Sequence, residues 1–172
     1  MKEFEIVVDF NGIVLFEPTL LTEFYTQINL DDNLYERFVR TDDGDKVVNQ
    51  GIVVPILAIN DGIYRVIMRD VNEKSPVPEN LIIVNNSTFP LKVVSRAILA
   101  DMSILLEWSP EDNWHETYIE PGNYQVQIKG FREVINNVVE DYGFEFVLTK
   151  CESLPDMTAS LTKNMQVREL PD

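Results

Sequence analysis

Few residues in this 172-residue sequence have the chemistry to form a reactive centre, and they are scattered. His115 is the single histidine and Cys151 the single cysteine. A Ser-His-Asp or Cys-His centre needs an imidazole to carry the proton, so any such centre here has to use His115. It stands in Trp114-His115-Glu116, on or beside a loop, and reads as an imidazole at the surface or the core edge. A zinc site made from one His and one Cys would also need two carboxylates. A lone Cys permits no intrachain disulfide and points to a reducing environment.

The run Asp42-Asp43-Gly44-Asp45 has the look of the start of a calcium loop. Such a loop closes with a glutamate at its twelfth position, where this chain has Val53. The run reads instead as a solvated turn. Paired carboxylates for glycoside hydrolysis have no distinguishing spacing here. Glycine occurs 7 times, always singly, so there is no phosphate-cradling loop. Trp108 and Trp114 flank a loop, Ser109 to Asn113, that carries Glu111 and Asp112. One or both of these tryptophans close the core edge, or, ringed by acid at the surface, they suit a cationic partner held by an aromatic anchor. No catalytic residue, cofactor site or metal site is assigned from these patterns.

The charge balance narrows the partner classes. Acidic residues number 29 against 14 basic ones, a formal net charge of -15. That field repels nucleic acid and anionic membrane, and attracts basic proteins over about 8–10 Å. The Lys and Arg residues form no stripe of the kind nucleic-acid binding requires. Apolar residues make up 45%, enough for a real core. No apolar run approaches the roughly 20 residues of a membrane span. The amino terminus, Met1-Lys2-Glu3-Phe4-Glu5, lacks the basic-then-apolar pattern of a signal peptide. A cytoplasmic location is the expectation.

The elements that would position these residues are mainly strands. Phe4 to Asp9 alternates, Asn11-Gly12 signals a two-residue hairpin, and Ile13 to Phe16 reads as the return strand. Asp31-Asp32-Asn33 precedes Leu34 to Phe38 and reads as the cap of a short helical turn. Asp42 to Asp45 reads as a turn between Phe38-Val39-Arg40 and Lys46-Val47-Val48. Gly51 to Ile59 reads as a buried strand, turned at Asn60-Asp61-Gly62 into Ile63 to Arg69. There Ile63, Arg65, Ile67 and Arg69 share one face and Tyr64, Val66 and Met68 the other, the pattern of a strand with one wet side. Leu81 to Val84, Ser103 to Trp108, Tyr124 to Ile128 and Phe144 to Leu148 read as further strands. Tyr124, Val126 and Ile128 point inward. These short strands, with turn residues every eight to twelve positions, predict a mostly β fold. The expected form is an antiparallel β-sandwich, or a barrel-like variant, with at most one or two short helices. Residues 1–150 make one β domain, and 151–172 a polar, loosely packed C-terminal tail.

Between Gly51 and Phe131 the order of features resembles the small β-sandwich family of the bacterial competence-nuclease inhibitor. The residues that carry the likeness are Ile52-Val53-Val54, Tyr64 to Arg69, Leu81 to Val84, and Ile119-Glu120-Pro121-Gly122-Asn123-Tyr124-Gln125-Val126. The resemblance implies an acidic protein that holds a DNA-degrading partner inactive. It assigns no inhibitory residue to this chain.

Three functions are consistent with the sequence. The first is a protein-binding module, an inhibitor or immunity-type protein that neutralises a basic partner such as a nuclease or toxin. The second is a structural or assembly component, of a phage particle or secretion apparatus, that makes contacts through strand edges. The third is an enzyme that uses carboxylates, with or without a divalent metal. For the first, the expected partner-binding residues are Asp42, Asp43, Asp45, Trp108, Glu111, Asp112, Trp114 and Glu116, provided the two loops fold to one end. The sequence leaves the oligomeric state open.

Overall fold

A computed structural model describes residues 1–170. It has two stacked sheets. The first contains β1 (Lys2–Val8), β4 (Gly62–Asp70), β9 (Val138–Cys151), β8 (Gly122–Ile135) and β5 (Ile82–Val93), in the spatial order β1-β4-β9-β8-β5. The second contains β3 (Val53–Leu57), β2 (Gly12–Phe16), β6 (Ile98–Asp101) and β7 (His115–Glu116), in the order β3-β2-β6-β7. All neighbouring pairs are antiparallel except β4 with β9. The mostly β, antiparallel-rich sandwich is therefore as expected, and neither sheet closes into a barrel.

The core lies between the sheets. Ile6 and Val8 of β1, Tyr64, Val66 and Met68 of β4, and Tyr124, Val126 and Ile128 of β8 all point into it. Phe144, Phe146 and Leu148 of β9 do the same. Alternation separates the two faces of these strands, and the inward reading of Tyr124, Val126 and Ile128 is as expected. The central strand β2 is buried along its whole length because both of its faces are covered.

Three local readings of the sequence are corrected. Asn11-Gly12 does not make a β1–β2 hairpin, because β1 pairs with β4 while β2 pairs with β3 and β6. The turn is an arch that carries the chain from one sheet to the other. Gly12 is needed for close approach: a Cβ there would stand 1.9 Å from the Ile56 carbonyl oxygen. Asn60-Asp61-Gly62 is a second such arch, between β3 and β4. Ser103 to Trp108 is not a strand. Met102–Leu105 forms a 3-10 turn, and the rest is loop.

The third correction concerns Asp42 to Val48. The run is α3 (Asp43–Asn49), following α1 (Pro18–Phe24) and α2 (Leu34–Arg40), so there are three short α-helices rather than one or two. Asp43 and Asp45 lie in the first turn of α3, where carboxylates favour the helix dipole, and Lys46 pairs back to Asp42 at 3.0 Å. Val47 and Val48 are buried. Two adjacent β-branched residues suggested a strand, but tertiary packing and the acidic first turn outweigh that preference. The helical turn at Leu34 is as expected, with Asn33 Oδ1 accepting from the Glu36 amide at 2.8 Å.

The outer face of the large sheet is drier than its alternation suggested. The 71–81 segment lies over Ile67 and Phe131 with Val77, and seals Arg69 against Glu145. Glu145 is fully buried and also accepts from the Ser75 hydroxyl. Removing one partner of such a buried pair costs about 3–5 kcal/mol. The C-terminal tail is also better anchored than its polarity suggested. Met165 and Val167 are buried in the core. The amides of Thr158 and Ala159 donate to the Thr88 carbonyl at 3.0 Å, and Asn86 exchanges two hydrogen bonds with Ser160. The tail thus covers the irregular stretch of edge strand β5 between Asn86 and Phe89.

Candidate protein-binding site

The aromatic part of the expected surface turns inward. The loop from Leu106 to Trp114 leaves the 3-10 turn and returns to β7. It is stitched to the segment before α2 by two backbone bonds, Trp108 N–H to the Asp32 carbonyl at 3.1 Å and Asp31 N–H to the Trp108 carbonyl at 2.9 Å. Trp108 is buried, and its ring meets Phe16 and Trp114 edge-on, with centroids 6.0 and 5.5 Å away. Trp114 is half-buried and meets Phe16 at 5.2 Å. Edge-to-face contacts of this kind add about 0.5–1.5 kcal/mol each beyond area burial. The two tryptophans anchor the loop and leave its carboxylates facing outward. The indole N–H of Trp114 is buried without a hydrogen-bond partner.

Arg96 organises those carboxylates. Its guanidinium forks onto both oxygens of Glu111, reaches Glu116 at 3.7 Å, and lies 5.5 Å over the Trp114 ring. The Arg96 hydrogen bond holds the Glu111 carboxyl below its ordinary range. Arg96 is itself placed by Glu17. This fully buried carboxylate accepts from the Arg96 amide at 3.1 Å and the Ser95 amide at 2.9 Å, while its other oxygen caps α1 at Leu20. Glu17, Arg96, Glu111 and Glu116 thus form one connected unit. Sequence reasoning missed Glu17 and Arg96. Glu17 had a signal, since it directly precedes Pro18 at the first position of a helix. Arg96 had none.

The remaining expected residues lie apart. Asp112 is exposed and lines a surface cavity of about 410 Å³ with Asp31, Glu107 and Asn113. Asp42 is exposed and paired to Lys46, and Asp43 accepts from the Tyr25 hydroxyl at 2.9 Å. Burial and this bond push the Tyr25 hydroxyl well above its usual range. The Asp45 side chain is exposed and makes no hydrogen bond or ion pair among the described residues. No hydrogen bond or ion pair there links Asp42, Asp43 or Asp45 to the Trp108–Glu116 loop. The structure therefore brings Trp108, Glu111, Trp114 and Glu116 together and sets the α3 aspartates on a separate element.

The groups with reactive potential are plainly packed. The His115 ring sits edge-on to Phe4 at 6.1 Å, and Cys151 is half-buried with its thiol donating to the Thr149 carbonyl. Among the described residues no three His, Cys, Asp or Glu side chains gather as a metal-holding group. No described helix is long and apolar enough to cross a membrane.

Two stacked sheets, a parallel β4–β9 pair and the order β1-β4-β9-β8-β5 define the class to which this chain can be compared. Among solved structures, the crocagin biosynthetic gene J product is similar at a TM-score of 0.50 and 16% identity, over 87% of this chain and 99% of that one. ComJ from Bacillus subtilis, an inhibitor of the DNA-degrading activity of NucA, aligns at a TM-score of 0.48 and 12% identity, over 87% of this chain and 96% of that one. At these identities the likeness concerns the fold alone. No protein family matches the chain, and no curated relative does.

Proposed function

We propose that this protein is an acidic, non-catalytic binding module that captures a basic protein, most concretely a nuclease, and holds it inactive. The observation that carries the reading is the excess of carboxylates, a net charge of -15, displayed on a sandwich whose loops are fixed from beneath. Arg96 holds Glu111 and Glu116 in place, and Arg65 in the same way holds Glu3 at 2.6 Å and Asp141 at 2.8 Å. Preorganised carboxylates lose little side-chain entropy on meeting a cationic cleft, and their summed field speeds the encounter. The nuclease is the partner class that the sequence resemblance implies.

Isothermal titration of the chain against a panel of basic DNA-degrading nucleases tests the reading. One-to-one binding that weakens as salt rises is expected, because the screening length falls from about 10 Å at 0.1 M to about 3 Å at 1 M. Absence of heat at low salt would remove the proposal.

A further inference from the structure

We propose that the projecting end of the β8–β9 ribbon, residues 132–141, is a docking finger whose apolar tip enters an apolar groove ringed by Lys or Arg on a protein partner. The proposal rests on the reading of the chain as a protein-binding module and names a surface which that reading did not include. The pairing registers define the projection. β5 last pairs with β8 at Ile82 with Phe131, and β4 first pairs with β9 at Arg65 with Gly143. The β8–β9 pairing runs on to Ile135 with Val138. Beyond the sheet the ribbon is therefore two-stranded, with neither edge paired within the chain.

Its tip is a tight turn that is apolar on both faces. Asn136 and Asn137 take φ of 53° and 62°, the two consecutive positive values that a tight type I′ turn requires. Ile135 stands opposite Val138, and Val134 opposite Val139 on the other face. Val134, Ile135 and Val138 are 41%, 49% and 54% exposed. Apolar side chains gathered at the end of a protrusion, away from any core, mark an interaction surface.

The flanking charges define the partner. Glu133 lies directly opposite Asp141, an arrangement of like charges that weakens a strand pair. Asp141 is partly relieved by Arg65, whereas Glu133 and Glu140 have no ion pair among the described residues. At the foot of the ribbon a cleft of about 510 Å³ is lined by Glu3, Phe4, Glu5, Arg65, Glu140 and Asp141. A cation from a partner relieves the Glu133–Asp141 repulsion. A second copy of the chain brings the same negative charges to the contact, and so is the disfavoured occupant.

Nuclear magnetic resonance titrations of the labelled chain test this with two decapeptides of equal charge, one alternating leucine and lysine, the other serine and lysine. The leucine peptide is expected to bind about tenfold tighter or more, because it alone buries apolar area. Its shifts should centre on residues 132–141 and the Glu3–Glu5 segment. The variant V134S/I135S/V138S should lose that preference. Because its changed positions are exposed, it should keep its melting temperature. E133K/E140K should weaken both peptides. Equal affinity for the two peptides, shifts centred elsewhere, or a dimer formed through the tip would overturn the proposal. Nuclease assays run in parallel separate the two readings. Equal inhibition by the parent and V134S/I135S/V138S would sink the finger alone. No inhibition by either protein, with the peptide preference intact, would sink the nuclease reading alone.

Discussion

The Trp108–Glu116 loop and the β8–β9 ribbon combine the same ingredients, large apolar side chains next to carboxylates, and use them in opposite ways. In the loop the apolar groups face inward: Trp108 is buried and Trp114 packs on Phe16. Its main carboxylates, Glu111 and Glu116, share Arg96. In the ribbon the apolar groups Val134, Ile135 and Val138 face water, and Glu133 and Glu140 have no ion pair among the described residues. The sandwich itself satisfies the first region and leaves the second unsatisfied. Composition alone does not separate a surface of preorganised carboxylates over buried aromatics from one with an exposed apolar tip. The direction of the apolar groups and the pairing of the charges do.

Mutations that treat both regions alike should therefore have unequal effects. Trp108→Ala should destabilise the fold by about 3–5 kcal/mol, as for other buried aromatics, and a denaturant midpoint measures it. A loss below about 1 kcal/mol would mean that the aromatic trio does not anchor the loop. Arg96→Gln should cost about 1 kcal/mol or less, because the guanidinium is partly exposed. It should raise amide exchange across residues 109–116 without touching the ribbon. Ile135→Ser should stay within about 0.5 kcal/mol of the parent, since an exposed apolar side chain contributes little to folding. A large loss there would show that the ribbon tip is a core element after all.

The smallest effect is in titration. The Glu111 carboxyl, held low by Arg96, should titrate below the ordinary value of 4.5 in carbon-detected resonance, and Arg96→Gln should return it to that value. The sign follows from the depressed folded pKa. The stabilisation is complete above the unfolded value and is lost as pH falls through the folded one. An unshifted Glu111 would mean that the clamp is open in solution.

Much of the sandwich was legible because alternation fixes which side chains face inward. Tyr64, Val66 and Met68, and again Tyr124, Val126 and Ile128, lie where period two puts them. Connectivity was less legible. Asn11-Gly12 has the composition of a hairpin turn, yet it bridges two sheets, because Gly12 must pass against the Ile56 carbonyl. The true tight hairpin is at Asn136-Asn137, which lacks the glycine that usually advertises one. α3 was hidden by Val47-Val48. At the loop, Glu111, Glu116 and the two tryptophans could be read as one group from their spacing. Their organiser, Arg96, comes from the distant turn between β5 and β6, and no local pattern points to it. Trp108 does close the core, one of the two readings that an aromatic beside a polar loop allows.

The central claim is that fixed negative charge on this sandwich neutralises a basic partner. Titrating the chain into a DNA-cleavage assay with a basic nuclease that binds it tests it most directly. Activity falling linearly to zero at one equivalent at low salt, and recovering as salt is raised, is the predicted result. Cleavage that continues unchanged with the chain in excess would contradict it.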